Sequence, residues 1–150
     1  MRFLRPYSVY FLKDILSINK VTIYTDGAAR GNPGPAAIGV IIKDETGNTI
    51  ATISRYLGAT TNNQAEYRAI IAALEKAIAL GARQVVLRSD SELVVKQING
   101  LYKIKNTGLR PLYQKVVELI GSLENFAIAY IPRERNAAAD ALANKALDSL

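Results

Sequence analysis

The chain has no cysteine and no histidine among its 150 residues. Without cysteine there can be no disulfide, no thiolate nucleophile and no thiolate zinc site, and a reducing cytoplasm is the natural setting. Without histidine there is no catalytic triad, no imidazole base and no imidazole metal ligand, so proton and metal chemistry falls to carboxylates, lysines, tyrosines or bound water. Tryptophan is also missing. No apolar run is long enough to span a bilayer, and neither an internal repeat nor a low-complexity tract interrupts the chain. Acidic residues are outnumbered, 13 against 19 lysines and arginines, giving a formal charge of +6 and a pI near 9.6. That balance favours a polyanionic partner. Hydrophobic residues make up 49% of the chain, enough for one globular domain with its own core.

Residues 1–20 differ from the rest. They hold Arg2, Arg5, Lys13 and Lys20 against Asp14 alone, half of the net charge, and their apolar stretch Tyr7 to Leu12 is broken too early for a secretory core. They read as an extension: a short amphipathic helix, an upstream start, or an added nucleic-acid contact. Residues 21–150 form the domain. VTIYTD alternates as a strand, and AAIGVIIKD and NTIATISRYL are two more, joined by a turn at Asp44 to Asn48, so an antiparallel meander is expected. Helices then enter. Helical patterning covers Asn63 to Leu80, Ser91 to Asn99, Arg110 to Leu123 and Asn136 to Leu150, with short strands at Gln84 to Arg88 and Phe126 to Ile131. This order predicts an α/β fold, a five-stranded mixed sheet of antiparallel meander plus parallel strands with helices on its faces.

Four acids stand in settings that suit metal binding. Asp26 closes the first strand and precedes GAARGNPGP, a loop with no final Gly-Lys-Ser/Thr and so no Walker loop. The competing reading is an Asp-Gly hairpin turn. Glu66 is either the return partner of an Asn63 capping box or, if Thr61 and Gln64 form that box, a carboxylate on the inward stripe with Ala69, Ile70 and Ala73. Asp90 follows a strand and precedes a helix, where open α/β sheets place ligand-binding groups, and Ser89 with Glu92 can cap that helix without it. Asp140 lies near the start of the last helix, where the dipole alone favours an acid by roughly 0.3–1 kcal/mol. Gathered together, four anions are tolerable only around cations, and two-metal phosphodiester chemistry becomes the leading hypothesis.

The order and surroundings of these acids resemble type 1 ribonuclease H from Val21 to Leu150. The resemblance rests on TDGAARGNPGPAAIG, TTNNQAEYRAIIAALEKA, SDSELVVKQING and PRERNAAADALANKA. It implies the ribonuclease H-like fold and metal-dependent endonucleolytic cleavage of RNA in RNA–DNA hybrids, with 5′-phosphate and 3′-hydroxyl ends. Asp26, Glu66, Asp90 and Asp140 correspond to the family's catalytic metal ligands for two Mg²⁺ or Mn²⁺ ions. By the same resemblance, Asp26 and Asp90 are direct or shared ligands, Glu66 also senses a ribose 2′-hydroxyl, and Asp140 holds the water-side metal. Gly27, Ala28, Ala29 and Asn62 would face RNA hydroxyls, while Asn32, Thr61 and Asn63 would hold the DNA strand.

Two departures from well-known bacterial members stand out. The basic, tryptophan-rich protrusion is replaced by LYKIKNTGLR, where Lys103, Lys105 and Arg110 are expected to meet DNA phosphates. The histidine many relatives place before the last acid is replaced by PRERNAA, where Arg133 or Arg135 is expected to steer the departing phosphate but cannot shuttle protons near neutral pH. The partner expected is a hybrid duplex, met by a cytoplasmic monomer with no membrane and no obligatory protein partner. A related 3′ exonuclease or junction resolvase, and a non-cutting hybrid-binding module, are the alternatives.

Overall fold

The computed structural model describes residues 18–150. The readings made for residues 1–17 lie outside the described residues. Strands β1 (Lys20–Ala29), β2 (Gly34–Lys43) and β3 (Thr49–Thr60) form the antiparallel meander. Helix α1 (Asn62–Ala79) leads to β4 (Gln84–Ser89), and α2 (Glu92–Ile98) and α3 (Arg110–Ile120) lead to β5 (Asn125–Tyr130). A short 3₁₀ turn (Arg133–Arg135) precedes the last helix, α4 (Ala137–Asp148). The sheet order is β3-β2-β1-β4-β5, with β4 and β5 parallel to β1. The expected five-stranded mixed sheet is therefore present. Ile18 packs against the core and Asn19 accepts hydrogen bonds from the Arg83 and Gln84 amides, so the sheet's contacts begin within the segment read as an extension.

Small residues set how closely the helices approach. Helix α1 buries Ala65, Ala69, Ala73 and Ala77 at a spacing of four, with Tyr67, Ile70 and Leu74 buried as it packs on β1, β2 and α3. Helix α4 buries Ala139, Ala143 and Leu147 on the opposite face, against β1, β2 and β3. Two glycines permit this closeness. A Cβ on Gly27 would overlap the Ala65 carbonyl carbon and the Glu66 nitrogen, and one on Gly39 would overlap the Ala139 carbonyl oxygen. Gly39 is the cross-strand partner of Asp26, and Gly27 is its chain neighbour. The two helices are thus pressed onto the sheet on either side of one residue, Asp26.

Local structure differs from expectation in three places. Asp26 does not end its strand: β1 continues to Ala29, paired with β2, while its parallel pairing with β4 stops at Thr25 opposite Ser89. The loop after it shrinks to residues 30–33, closed by an Arg30 amide bond to the Pro35 carbonyl. The cap of α2 is Ser91, whose hydroxyl accepts from Val94 N, and not Ser89, whose hydroxyl accepts from Ser91 N; one residue of added strand moves the cap forward. Helix α3 ends at Ile120, where the Gly121 amide folds back onto Val117 and Leu119 carbonyls.

Candidate active site

Where β1 runs on beyond the end of β4, the strand edge is left open, and the site is built in that gap. Asp26 stands on β1 just past the last β4 pairing, and Asp90 follows the end of β4 itself. Thr61 caps α1 by accepting from Gln64 N at 3.2 Å, so Glu66 is released from capping duty and turns inward beside Gly27. Asp140 projects from the first turn of α4. All four line one cleft of about 460 Å³, together with Gly27, Ala28, Ala29, Asn62 and Asn63. One carboxylate oxygen from each of Asp26, Glu66 and Asp90 lies within 4.8 Å of the others. Asp140 stands back from that triplet but still bears on Asp26, and Arg133 approaches it at 3.7 Å from a side chain that is 81% exposed.

The electrostatics are those of a site short of positive charge. Asp26 and Glu66 are 5% and 7% exposed, and one oxygen of each, Asp26 Oδ2 and Glu66 Oε2, is buried without a hydrogen-bond partner. Burial first, then the neighbouring Asp90 and Asp140 carboxylates, push the Asp26 carboxyl up to about 7, with Arg133 opposing. Burial, followed by Asp26 and Asp90, holds Glu66 well above its ordinary range, against the pull of the Gly27 amide. Two unit charges 4 Å apart repel by roughly 4 kcal/mol at an effective dielectric near 20. A cluster of unpaired, hard oxygen donors of this kind suits divalent cations.

The other expected contacts fall around the cleft in a graded way. Asn62 Oδ1 accepts from Ala29 N at 2.9 Å, and Asn32 Oδ1 accepts from Asn62 N at 3.0 Å, so both asparagines brace the rim. Lys103 lies in a second groove with Tyr102, Arg110 and Tyr113, and Lys105 is exposed in the same loop. Arg135 faces a small pocket with Tyr24, Lys43 and Thr49, so of the two loop arginines Arg133 is the one on the acidic cleft.

Four polar cleft or cleft-bracing residues have no counterpart among the expected site residues: Arg30, Ser91, Asn136 and Asn144. Asn144 follows Asp140 by four and bonds its carbonyl, a helical spacing that could have been read in advance. Arg30 pairs with Asp148, far away in the chain, and nothing local announces it. Asn136 Nδ2 donates to Thr25 O at 2.8 Å and to Asp90 Oδ2 at 3.2 Å.

Fold and site together define an α/β protein with a cluster of carboxylates suited to divalent metal at the open ends of its central strands. Residues 24–146 match the family described as reverse transcriptase-like. Ribonuclease HI of Halobacterium salinarum is 45% identical over 129 residues, 86% of this chain and 65% of that protein. The crystal structure of RNase H1 from the same archaeon superposes with a TM-score of 0.86 at 44% identity, covering 88% of this chain and 100% of that one. The N-terminal RNase H domain of Rv2228c from Mycobacterium tuberculosis gives a TM-score of 0.84 at 41% identity, over 86% of this chain and 99% of that one. LC11-RNase H1, solved in complex with an RNA/DNA hybrid, gives 0.82 at 48%, over 86% and 97%. The chain belongs to the type 1 ribonuclease H family. It spans 65% of the full Halobacterium protein and 36% of the bifunctional mycobacterial one.

Proposed function

We propose that this protein hydrolyses the RNA strand of RNA–DNA hybrids at internal positions, leaving 5′-phosphate and 3′-hydroxyl ends. The observation that carries this reading is the gathering of Asp26, Glu66, Asp90 and Asp140 in one cleft, with buried carboxylate oxygens that have no partner in the protein. Asp26, Glu66, Asp90 and Asp140 would hold two Mg²⁺ or Mn²⁺ ions, Asp26 and Asp90 as direct or shared ligands, Glu66 also sensing a ribose 2′-hydroxyl and Asp140 holding the water-side ion. When bound, such ions activate water near neutral pH and offset charge on the leaving 3′ oxygen.

The protein's own residues then orient the duplex. The open edge of β1 at Gly27 to Ala29, braced by Asn62, supplies main-chain groups at the height of the acids, suited to the 2′-hydroxyls that only the RNA strand carries. Asn32, Thr61 and Asn63 flank that edge where the DNA strand would pass. Lys103 and Lys105 give a more distant, salt-sensitive hold on phosphates, and Arg135 a weaker one. Arg133, 3.7 Å from Asp140, would meet the departing phosphate as a permanent cation and not as a proton carrier.

A cytoplasmic, monomeric enzyme is our reading of the wider setting, with an extension of residues 1–20, of which Ile18 to Lys20 already join the core and the sheet, preceding a catalytic domain of residues 21–150. No helix among the described residues is long and apolar enough to cross a membrane. The test is cleavage of an end-labelled hybrid with and without Mg²⁺ or Mn²⁺, beside RNA–RNA, DNA–DNA, single-stranded and four-way DNA. Metal-dependent cutting of the hybrid alone is expected. Preferential cutting of branched or single-stranded DNA would replace the reading with a related nuclease, and binding without cutting with a non-catalytic module.

A further inference from the structure

Asn136 joins the three chain segments that carry Asp26, Asp90 and Asp140. Its side chain is 1% exposed. The Nδ2 hydrogens go to the Thr25 carbonyl at 2.8 Å, one residue before Asp26, and to Asp90 Oδ2 at 3.2 Å. Its own carbonyl accepts from Asp140 N at 3.0 Å, in the first turn of α4. An asparagine at the start of a helix ordinarily caps it, because its side-chain oxygen satisfies a free amide of the first turn. This one makes no such bond. The carboxamide is turned away from the helix it opens and toward the ends of β1 and β4. Its orientation is determined: reversing the amide would set Oδ1 against two acceptors, whereas as it stands Oδ1 is buried without a partner. Leaving an acceptor unsatisfied costs about 1–3 kcal/mol, so the geometry is held at some expense to stability.

The chemistry of the choice is specific. One oxygen of Asp90 lies within 4.8 Å of the Asp26 and Glu66 carboxyl oxygens, so an unanchored Asp90 carboxylate would turn away from them as they ionise. A lysine or arginine here would anchor Asp90 but would also neutralise it and compete with metal. A carboxylate would repel it. A neutral double donor fixes the carboxylate's direction while leaving its charge available, and the same group fixes its distance from the β1 main chain.

We propose that Asn136 is a positioning residue that holds Asp90 and the end of β1 in metal-binding register. This rests on the metal-dependent reading given above. Hydrogen-bond partners of metal ligands characteristically change affinity or activity by about 10–100-fold when removed. Asn136→Ala should therefore weaken Mn²⁺ binding, measured by calorimetry with the metal alone, by at least about 10-fold, and lower kcat on a hybrid by a similar factor. The KM should change little, and raising Mn²⁺ should restore part of the lost kcat. Asn136→Asp, equal in size but with at most one proton to donate where Asn136 donates two, should lose kcat as well.

Val116→Ala, a cavity variant on the buried face of α3, serves as the comparison for lowered stability alone and should keep wild-type Mn²⁺ affinity. In the wild-type protein, the Asn136 side-chain amide followed by ¹⁵N NMR should shift on Mg²⁺ addition with the midpoint of metal binding. Wild-type Mn²⁺ affinity in Asn136→Ala, an equal loss in Val116→Ala, wild-type kcat in Asn136→Asp, or an unmoved Asn136 amide would each overturn the proposal. A wild-type protein that neither binds Mn²⁺ nor cuts hybrid would instead remove the functional reading itself.

Discussion

Glu66 and Tyr67 are neighbours on α1, both buried and both polar, and they are treated in opposite ways. The Tyr67 hydroxyl donates to Gln97 Oε1 at 2.7 Å in the middle of the core. Glu66, one residue earlier, keeps an oxygen without any partner and shares its space with two other carboxylates. A buried polar group that serves the fold is satisfied by the fold, since an unpaired one costs about 1–3 kcal/mol. One left unsatisfied among like charges lowers stability, and its retention points to a partner that arrives from solution. That difference separates architecture from site without reference to any relative.

The largest test of this contrast is Asp26→Asn. It keeps the shape and removes one charge from the centre of the cluster. Cleavage should fall by about 10³-fold or more, roughly 4 kcal/mol of transition-state stabilisation, in single-turnover assays at saturating metal. Most hybrid affinity should remain, because no distant phosphate contact is touched. Without divalent metal, the same variant should melt above the wild type at pH 7.5. A drop in both activity and metal-free melting temperature would place Asp26 with Tyr67, on the side of architecture.

Tyr67→Phe tests the other half. It strands Gln97 in the core and should lower stability by about 1–3 kcal/mol, several degrees in melting temperature, with cleavage at 25 °C unchanged. Equal activity with reduced stability keeps the two residues in separate roles. Activity lost in greater proportion than stability would mean that the core polar pair is coupled to the cleft.

The pH dependence of metal-free stability sharpens the comparison further. Asp26 is raised to about 7 from 3.8, so between those values the folded state binds more protons than the unfolded chain. Stability from this group is fully present below about pH 4 and is lost as pH rises through 7, the reverse of an acid held in an ion pair. Glu66 acts in the same direction. Asp44 is the internal opposite: its carboxylate accepts from the Thr46 hydroxyl and from turn amides, its pKa is lowered, and its contribution fades as pH falls through that lowered value. From pH 5.5 to 8 in EDTA, the melting-temperature difference between Asp26→Asn and wild type should widen, and millimolar Mg²⁺ at pH 8 should reduce it. A constant difference across that range would deny the repulsion on which the site depends.

Local patterning made most of the fold legible. Alternating apolar residues marked the strands, and Ala69, Ile70 and Ala73 marked the buried face of α1. The Thr61 and Gln64 pair correctly indicated that Glu66 need not serve as a cap. The four acids could be named from motif order, but not the reason they meet, which lies in Gly27 and Gly39 admitting two helices onto opposite faces of β1 and β2. Those glycines look like loop and strand irregularities in one dimension. Asn136 was hidden for a similar reason: an asparagine before a helix reads as a cap, and only the three-dimensional path of β1 and β4 shows that its side chain is used elsewhere.

The smallest expected effect belongs to the arginine loop. Arg133 is 3.7 Å from Asp140 but 81% exposed, and an ion pair this open contributes at most about 1 kcal/mol. Arg133→Ala should therefore leave melting temperature within a degree or two and slow steady-state turnover by about 2- to 5-fold, consistent with a loss of up to about 1 kcal/mol in steering the departing phosphate. Arg135, facing Tyr24 and Lys43 on the other side of the 3₁₀ turn, should give less than half that effect when changed to alanine. Single-turnover and steady-state rates measured together separate the roles, since a phosphate-release defect slows only the second. If both variants turn over at the wild-type rate, protons and phosphate leave through water and metal alone, and the contrast between satisfied fold and unsatisfied site ends at the four acids and the asparagine that aims one of them.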